Sequence, residues 1–328
     1  MRWLGSGRFI LQVGVCLVAV LQAMGAAADP EVLRWIPGDT RVVFQVDPAG
    51  ARAQPRAREA LGLDALLAPF AAPRLDAAKL HRVTVAYVPS AGATSPVAIT
   101  QGQAALTSEF ARLHGAALDP VAGHKIFASS QGGAGGALTL VDPGWIAEGA
   151  RATLHTVLTQ AASAARTLAG EGHDAAHQLF GVQSAAPVSL VYVAPGDGAD
   201  LYAVMQDLDR ILGIEISKAL QPYQKAIQML GITQGIRLDL RQEGAELATS
   251  LWMVMPNPMA AQITSVSLDA GRDMARVAAA GAVKQGSMSA SDARALEAAL
   301  QTMQTSADGD VVKVQLRVPQ EPVGTGSR

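Results

Sequence analysis

The chain alternates between short β-branched apolar runs closed by Pro or Gly and stretches whose apolar residues recur every three or four positions. Val42-Val43-Phe44-Gln45-Val46 follows a Pro37-Gly38 turn and stops before Pro48, which reads as a strand. Leu61, Leu63, Leu66 and Leu67 predict a short helix over 61–70. Strands follow over 83–88 and 97–100, separated by a turn-rich loop over 89–94. Thr107-Ser108-Glu109 offers a helix start, with Leu106, Phe110 and Leu113 at helical spacing and Gly115 as the stop. Segments 125–128 and 137–141 read as paired strands across Gly132–Gly136, extended briefly by Trp145 and Ile146. A helix begins at Ala150, with Leu154, Val157, Leu158 and Ala161 on one face.

After a composition break the pattern repeats. A strand over 188–193 closes at Pro195-Gly196, and Asp200 caps a long helix carrying Leu201, Met205, Leu208, Ile211 and Leu212, interrupted at Pro222. Ile236, Leu238 and Leu240 alternate with Arg237, Asp239 and Arg241, as in a half-buried strand. Glu243-Gly244 turns the chain into a second strand over 247–255, and 263–268 reads as another. Ser289 and Asp292 start a helix carrying Leu296, Leu300 and Met303. Asp308-Gly309-Asp310 leads into a closing strand over 311–318, and Pro319 begins a disordered tail.

Each half therefore reads strand, helix, strands, helix. The expected fold is α+β, with two similar domains, each a mainly antiparallel sheet carrying helices on one face. The boundaries expected are 29–166 for the N-terminal domain, 167–181 for a linker, 182–319 for the C-terminal domain and 320–328 for the tail. The openings at Val42 and Val188 resemble a diverged duplication.

The first 28 residues carry Arg2 and Arg8, an apolar run too short to span a bilayer, and Ala26-Ala27-Ala28. This is the pattern of a secretory signal peptide cleaved after Ala28; the alternative is an uncleaved signal that anchors the N-terminus. The sole cysteine, Cys16, lies in the apolar run after Val15, where a lipoprotein signal needs a small residue. The remaining chain has no cysteine for disulfides and must hold together by core burial. Charged residues make up 16% of the chain and hydrophobic residues 49%, the reverse of a disordered composition. Aromatics, at 4%, supply few large anchors, so the core should be Leu, Val, Ile and Ala. Without its leader the chain has a net charge of −4 and no basic stripe, which argues against nucleic acid as a partner. Arg52, Arg56 and Arg58 read as a solvated face.

Ile36-Pro37-Gly38-Asp39-Thr40 before a strand ending at Asp47, the passage from Leu138 to Gly149 into the helix at Ala150, and the Asp308-Gly309-Asp310 strand form a recognisable set. Together they resemble exported two-domain proteins of high-GC Gram-negative bacteria. The resemblance implies an export context and an α+β fold, and carries over no activity and no site residue.

Several constellations could carry chemistry. His173 and His177, four apart, could share a helix face and hold zinc, with Asp174 as a base. The metalloprotease pattern has Glu in place of Asp174, no third ligand follows at recognisable spacing, and the same residues also read as the polar face of a linker helix. Asp197, Asp200 and Glu215 lack the alternate spacing of a calcium loop and read better as helix caps. Gly132–Gly136 lacks the Lys-Ser/Thr of a phosphate loop. No G-x-S-x-G or S-x-x-K motif occurs, and His81, His114, His124 and His155 stand singly. Trp252-Met253-Val254-Met255-Pro256-Asn257-Pro258-Met259 could bind copper(I) if Met259 and Met274 converged with Met255, or could be a buried strand ending in a turn. The expectation is a periplasmic or secreted non-catalytic protein without a cofactor. It would bind an envelope protein or a small ligand through a sheet face or the groove between its halves. A zinc-dependent hydrolase using His173 and His177 and a small-ligand or metal carrier are the alternatives.

Overall fold

Strands whose residues are apolar at nearly every position have no side to offer water, so the sheet around them must be covered on both faces. Two such runs, VVFQV and VSLVYV, lie at the centre of this molecule and are buried throughout. The structure is a computed structural model that describes residues 30–60, 63–72, 75–90, 93–103, 106–129, 136–182, 186–221, 224–244, 246–284 and 290–319. The leader with Cys16, the glycine loop over 130–135, Pro222, Ser289 and the tail over 320–328 lie outside the described residues.

A 3-10 turn, Pro30–Trp35, leads into β1 (Val42–Val46). Three short helices, α1 (Pro48–Ala53), α2 (Pro55–Ala60) and α3 (Leu63–Leu67), precede the hairpin of β2 (Leu80–Ser90) and β3 (Ala93–Gly102). Then come α4 (Leu106–Leu113), β4 (His114–Val121), β5 (His124–Ser129), β6 (Gly136–Asp142), β7 (Trp145–Ala150), α5 (Arg151–Ala161) and α6 (Asp174–Gly181). The second half contains β8 (Val188–Val193), β9 (Ala199–Asp200), α7 (Leu201–Leu212), α8 (Ile216–Leu220), α9 (Gln224–Gln228), β10 (Ile232–Thr233), β11 (Gly235–Glu243) and β12 (Glu246–Val254). It ends with α10 (Pro258–Lys284), α11 (Ala290–Thr302), β13 (Gln304–Asp308) and β14 (Val311–Pro319).

The fold is α+β, as the pattern predicts. β9 and β10 pair with each other, and the other twelve strands form one sheet in the order β13-β14-β12-β11-β8-β1-β2-β3-β7-β6-β5-β4. Every pairing is antiparallel. The two halves meet where β1 pairs with β8 over Val42–Tyr192 to Val46–Val188. Outward from that seam the halves match: β2 and β11, β3 and β12, β7 and β14, β6 and β13 hold corresponding places, with β4 and β5 extending the first half alone.

One face of the sheet carries Val42, Phe44, Val46, Val85, Leu190, Leu238 and Val314, packed against Leu63, Leu106 and Phe110 from the first half's helices and Val204, Leu208 and Ala261 from the second's. The opposite face carries Val43, Val88, Ile99 and Val191, covered by Leu33 and Trp35 of the 3-10 turn, Leu154, Val157 and Leu158 of α5, and Leu179 and Phe180 of α6. The centre is thus sandwiched between helices, rather than covered on one face as in each expected half. Continuous burial of β1 and β8 is the reason.

The segment over 167–181 is packed against the sheet: Leu168, Ala176 and Phe180 are buried, and Thr167 bridges to Pro37. The expected strand over 263–268 lies instead inside α10. Pro258 opens that helix, and the Asn257 Oδ1 accepts the Ala260 N–H at 2.9 Å, a helix start that overrides local β propensity. Ala261, Thr264 and Ser265 face inward, while Ile263 and Val266 are exposed. Asp200 caps α7 as expected, accepting from Tyr202 and Ala203 N–H groups at 2.9 and 3.0 Å. That helix ends at Gly213, whose φ of 69° supplies the left-handed stop, ahead of Pro222.

Arg41, Tyr192, Asp207 and Arg210 tie α7 to the central strands. The Tyr192 hydroxyl and Arg210 each donate to Asp207 at 2.8 Å, and Arg41 adds a third contact, the second ion pair. Burial alone would raise the Asp207 pKa, but bonds from Arg210, Tyr192 and Arg41 outweigh it and hold it below the ordinary value of 3.8. The same burial, with the Asp207 charge, raises the Tyr192 pKa. A carboxyl lowered in the folded state stabilises above its unfolded pKa and loses that contribution as pH falls through its folded pKa. Asp207→Asn should therefore lower the urea midpoint near neutral pH, and the gap from the unsubstituted protein should close as pH drops below 3.8. A gap that stays constant on acidification would contradict this assignment.

Candidate functional site

Helical cover on the second face reaches β11 and the Val254 end of β12. Beyond it, the face formed by β12, β14 and β13 is open among the described residues, and a groove of about 620 Å³ lies on it. The side chains that build it come in cross-strand rows, because residues directly opposite in an antiparallel ladder project from the same face.

The first row is Arg237 on β11, Trp252 on β12 and Lys313 on β14. The Arg237 guanidinium and the Lys313 ammonium lie 5.7 and 5.6 Å from the Trp252 ring centroid. Both distances suit a cation–π contact, one from each neighbouring strand. The second row is polar across seven strands: Thr84, Gln45, Ser189, Asp239, Ser250, Gln315 and Gln304. It begins deep in the sandwich, where Gln45 is fully buried, and emerges into the groove at Ser250 and Gln315. Ser189 donates to Asp239 at 3.2 Å, and Gln315 donates to the Ser250 hydroxyl at 3.4 Å. The third row places Arg241 and Arg317 on either side of Ala248, with Glu243 ion-paired to both arginines.

The sequence reading placed Arg237 and Asp239 on the solvent side of a half-buried strand, and the structure corrects this. Both are buried, at 0% and 2% exposure. They face each other in a two-pronged ion pair, with Arg237 Nε 2.7 Å and Nη2 3.3 Å from the Asp239 oxygens. Arg237 Nη1 also donates to the Leu179 and Val182 carbonyls at 2.8 and 3.1 Å, at the end of α6. A cation at a helix C-terminus satisfies carbonyls left without helical partners. The charges are tolerated inside because each is neutralised and hydrogen-bonded.

His173 sits at the N-cap of α6 with non-helical backbone, and its ring turns toward Gly38, where an added Cβ would lie 2.8 Å from Nε2. His177 is exposed on the first turn. Among the described residues, no group of three or more His, Cys, Asp or Glu is arranged to hold a metal ion. Met255 is buried at the end of β12, whereas Met259 is 74% exposed at the start of α10; the Met274 side chain lies outside the description. Asp200 is a helix cap, Glu215 pairs with Lys218, and Asp197 is exposed. The groove residues Ser250, Lys313, Gln315 and Arg317 escaped the sequence search. The available signal was the regular alternation of polar and apolar positions along 311–318, which marks one solvent-facing side but not that three strands bring their polar sides together.

No protein-family model matches the chain, and no curated protein matches it. Among solved structures, it is similar to TP0453 in crystal form I, with 10% identity over 90% of this chain and 94% of that one and a TM-score of 0.43. Crystal form IV of the same protein gives 11% identity over 89% and 93%, also at 0.43, and form III gives 10% over 88% and 93% at 0.41.

Breaking a buried ion pair on one side leaves an uncompensated charge, so Arg237→Met should cost about 3–5 kcal/mol in urea unfolding. The double variant Arg237→Met/Asp239→Leu should recover part of that loss, but not the α6 carbonyl contacts. Equal losses for single and double variants would show that the pair contributes nothing through its charges. Gln45 poses the opposite case: its side-chain nitrogen and oxygen find no partner among the described residues. Gln45→Met should raise stability by about 1–3 kcal/mol by removing an unsatisfied buried amide. A lower urea midpoint in that variant would show that the amide is hydrogen-bonded in solution.

Proposed function

We propose that this is a non-catalytic periplasmic binding protein that holds an envelope component in the groove over β12, β14 and β13. The observation that carries the reading is the contrast across one sheet face: covered by helices in the middle, polar and open among the described residues at one end, with a groove of about 620 Å³ there. A concave polar surface on a rigid sheet positions side chains for recognition without needing loop ordering. Two of the groove hydroxyls, Thr302 and Ser250, are engaged in ways that suit binding rather than nucleophilic attack. Thr302 donates to the Ala299 and Arg317 carbonyls, and Ser250 accepts from Gln315. A nucleophile needs a base within hydrogen-bond reach instead. The export context rests on the leader pattern at the N-terminus, with its basic start and Ala26-Ala27-Ala28 end. Among the described residues, no helix is long and apolar enough to cross a membrane.

A photo-crosslinking residue placed at exposed Gln315 tests the site in the native envelope, with the same residue at exposed Thr159 on α5 as the control. The reading expects one dominant adduct from position 315 and none from 159. Equal labelling from both positions, or no adduct from 315, overturns it.

A further inference from the structure

We infer that the groove takes an acidic saccharide, a hydroxyl-rich chain bearing carboxylates, read entirely by side chains; the inference rests on the binding reading above. Its floor is three strands: β12 and β14 are paired on both sides, in the β11–β12, β12–β14 and β14–β13 ladders, and the one open edge, on β13, points sideways in the plane of the sheet and not up from the floor. A ligand lying on that floor cannot pair with the main chain as an added strand does. Recognition falls to Ser250, Gln304 and Gln315 in the middle, Lys313 at one end, and Arg241 and Arg317 at the other. Amide and hydroxyl groups both donate and accept, as a polyhydroxylated ligand requires.

Charge decides the rest. Arg237 and Asp239 neutralise each other below the floor. Glu243 offsets only one of the two arginines it bridges. Lys313 has no carboxylate partner among the described residues; its contact is the Trp252 ring. The groove therefore keeps an excess of two positive charges on a chain that is net negative, and the excess sits at its two ends. Lys313 and Arg317 are four residues apart along β14, so their Cα atoms stand roughly 13 Å apart at about 3.3 Å per residue. This spacing suits two carboxylates on one oligosaccharide with hydroxyls between them, each gaining a charge-assisted hydrogen bond. An apolar peptide side chain finds no anchor here. The Trp252 ring is flanked by Arg237 and Lys313, and the other apolar lining is Ala186, Ala248 and Leu316. Flanking by cations also denies a nucleobase the free aromatic face on which single strands stack.

Calorimetry with the purified protein and an oligogalacturonate of three to four residues tests this directly. The controls are the same oligosaccharide with its carboxyls reduced to alcohols, and oligoglutamate of equal charge. The inference expects measurable binding of the oligogalacturonate, at least tenfold weaker binding of both controls, and a fall in affinity with added salt. Lys313→Gln and Gln315→Ala, both at the groove surface, should each weaken binding about three- to tenfold while leaving the thermal midpoint nearly unchanged. Equal binding of the reduced oligosaccharide removes the carboxylate from the argument, and equal binding of oligoglutamate removes the sugar. No binding of the acidic oligosaccharide overturns the inference outright. A position-315 adduct obtained alongside any of these negative results would leave the groove as a binding site for another ligand, so the two failures are separable.

Discussion

The architecture depends on the antiparallel pairing of β1 with β8. Each strand opens its half of the chain, and setting them side by side turns two half-sheets into one sheet of twelve strands. Neither strand can then present a face to water, because each is apolar at nearly every position on both. The 3-10 turn, α5 and α6 must lie over one side, and the shorter helices with α7 over the other. The segment between the halves is drawn into this cover, with Leu168 and Phe180 at 0% exposure. Burial at about 25 cal/mol per Å² of apolar surface makes this the main favourable term in a chain without disulfides.

A buried ion pair marks where the cover ends. Arg237 reaches from β11 to the last carbonyls of α6 and to Asp239 on its own strand. Two charges inside a protein seldom add net stability over well-packed apolar residues. What this pair adds is position: the guanidinium holds the end of α6 at one strand, and Trp252 on the next strand packs against the same guanidinium. Inward of that line the face is helix-covered and mostly apolar, crossed by the one buried polar row; outward it is polar and open among the described residues.

The sequence made most single elements legible and the assembly much less so. The Val42 and Val188 runs, the Asp200 cap and the Gly244 hairpin are local signals, and each element stands where its signal places it. The strand expected over 263–268 failed because Thr264-Ser265-Val266 has β propensity, while Asn257 and Pro258, six to seven residues upstream, had already set a helix going. β13, whose residues are Gln-Thr-Ser-Ala-Asp, has too few apolar positions to stand out as a strand; it forms because β14 and α10 flank it. Alternation along β11 identified its two sides but assigned the wrong environment to one. Period two says which residues share a face, not what lies over it. Only the position of α6, set by contacts 55 to 58 residues away in sequence, makes Arg237 an interior residue.

The same reasoning explains why the groove had no signature. A site built on loops leaves glycines, caps and clustered polar residues within a few positions of each other, and such clusters stood out at His173 and at Met255. A site built across a sheet draws one or two residues from each strand, two apart in sequence and tens of residues from their neighbours in space. The seven-strand polar row is the clearest instance: Thr84, Gln45 and Ser189 look incidental in their own strands, yet the register aligns them with Asp239, Ser250, Gln315 and Gln304. Its buried members are held differently: Ser189 and Asp239 bond each other, whereas Gln45 gains no hydrogen bond among the described residues. The row is continuous because strand register is a property of the whole sheet. A slip of one residue at the β1–β8 seam would set Phe44 or Val46 opposite Ser189 in place of Gln45 and end the row at β8, while β8 to β13 kept their own register.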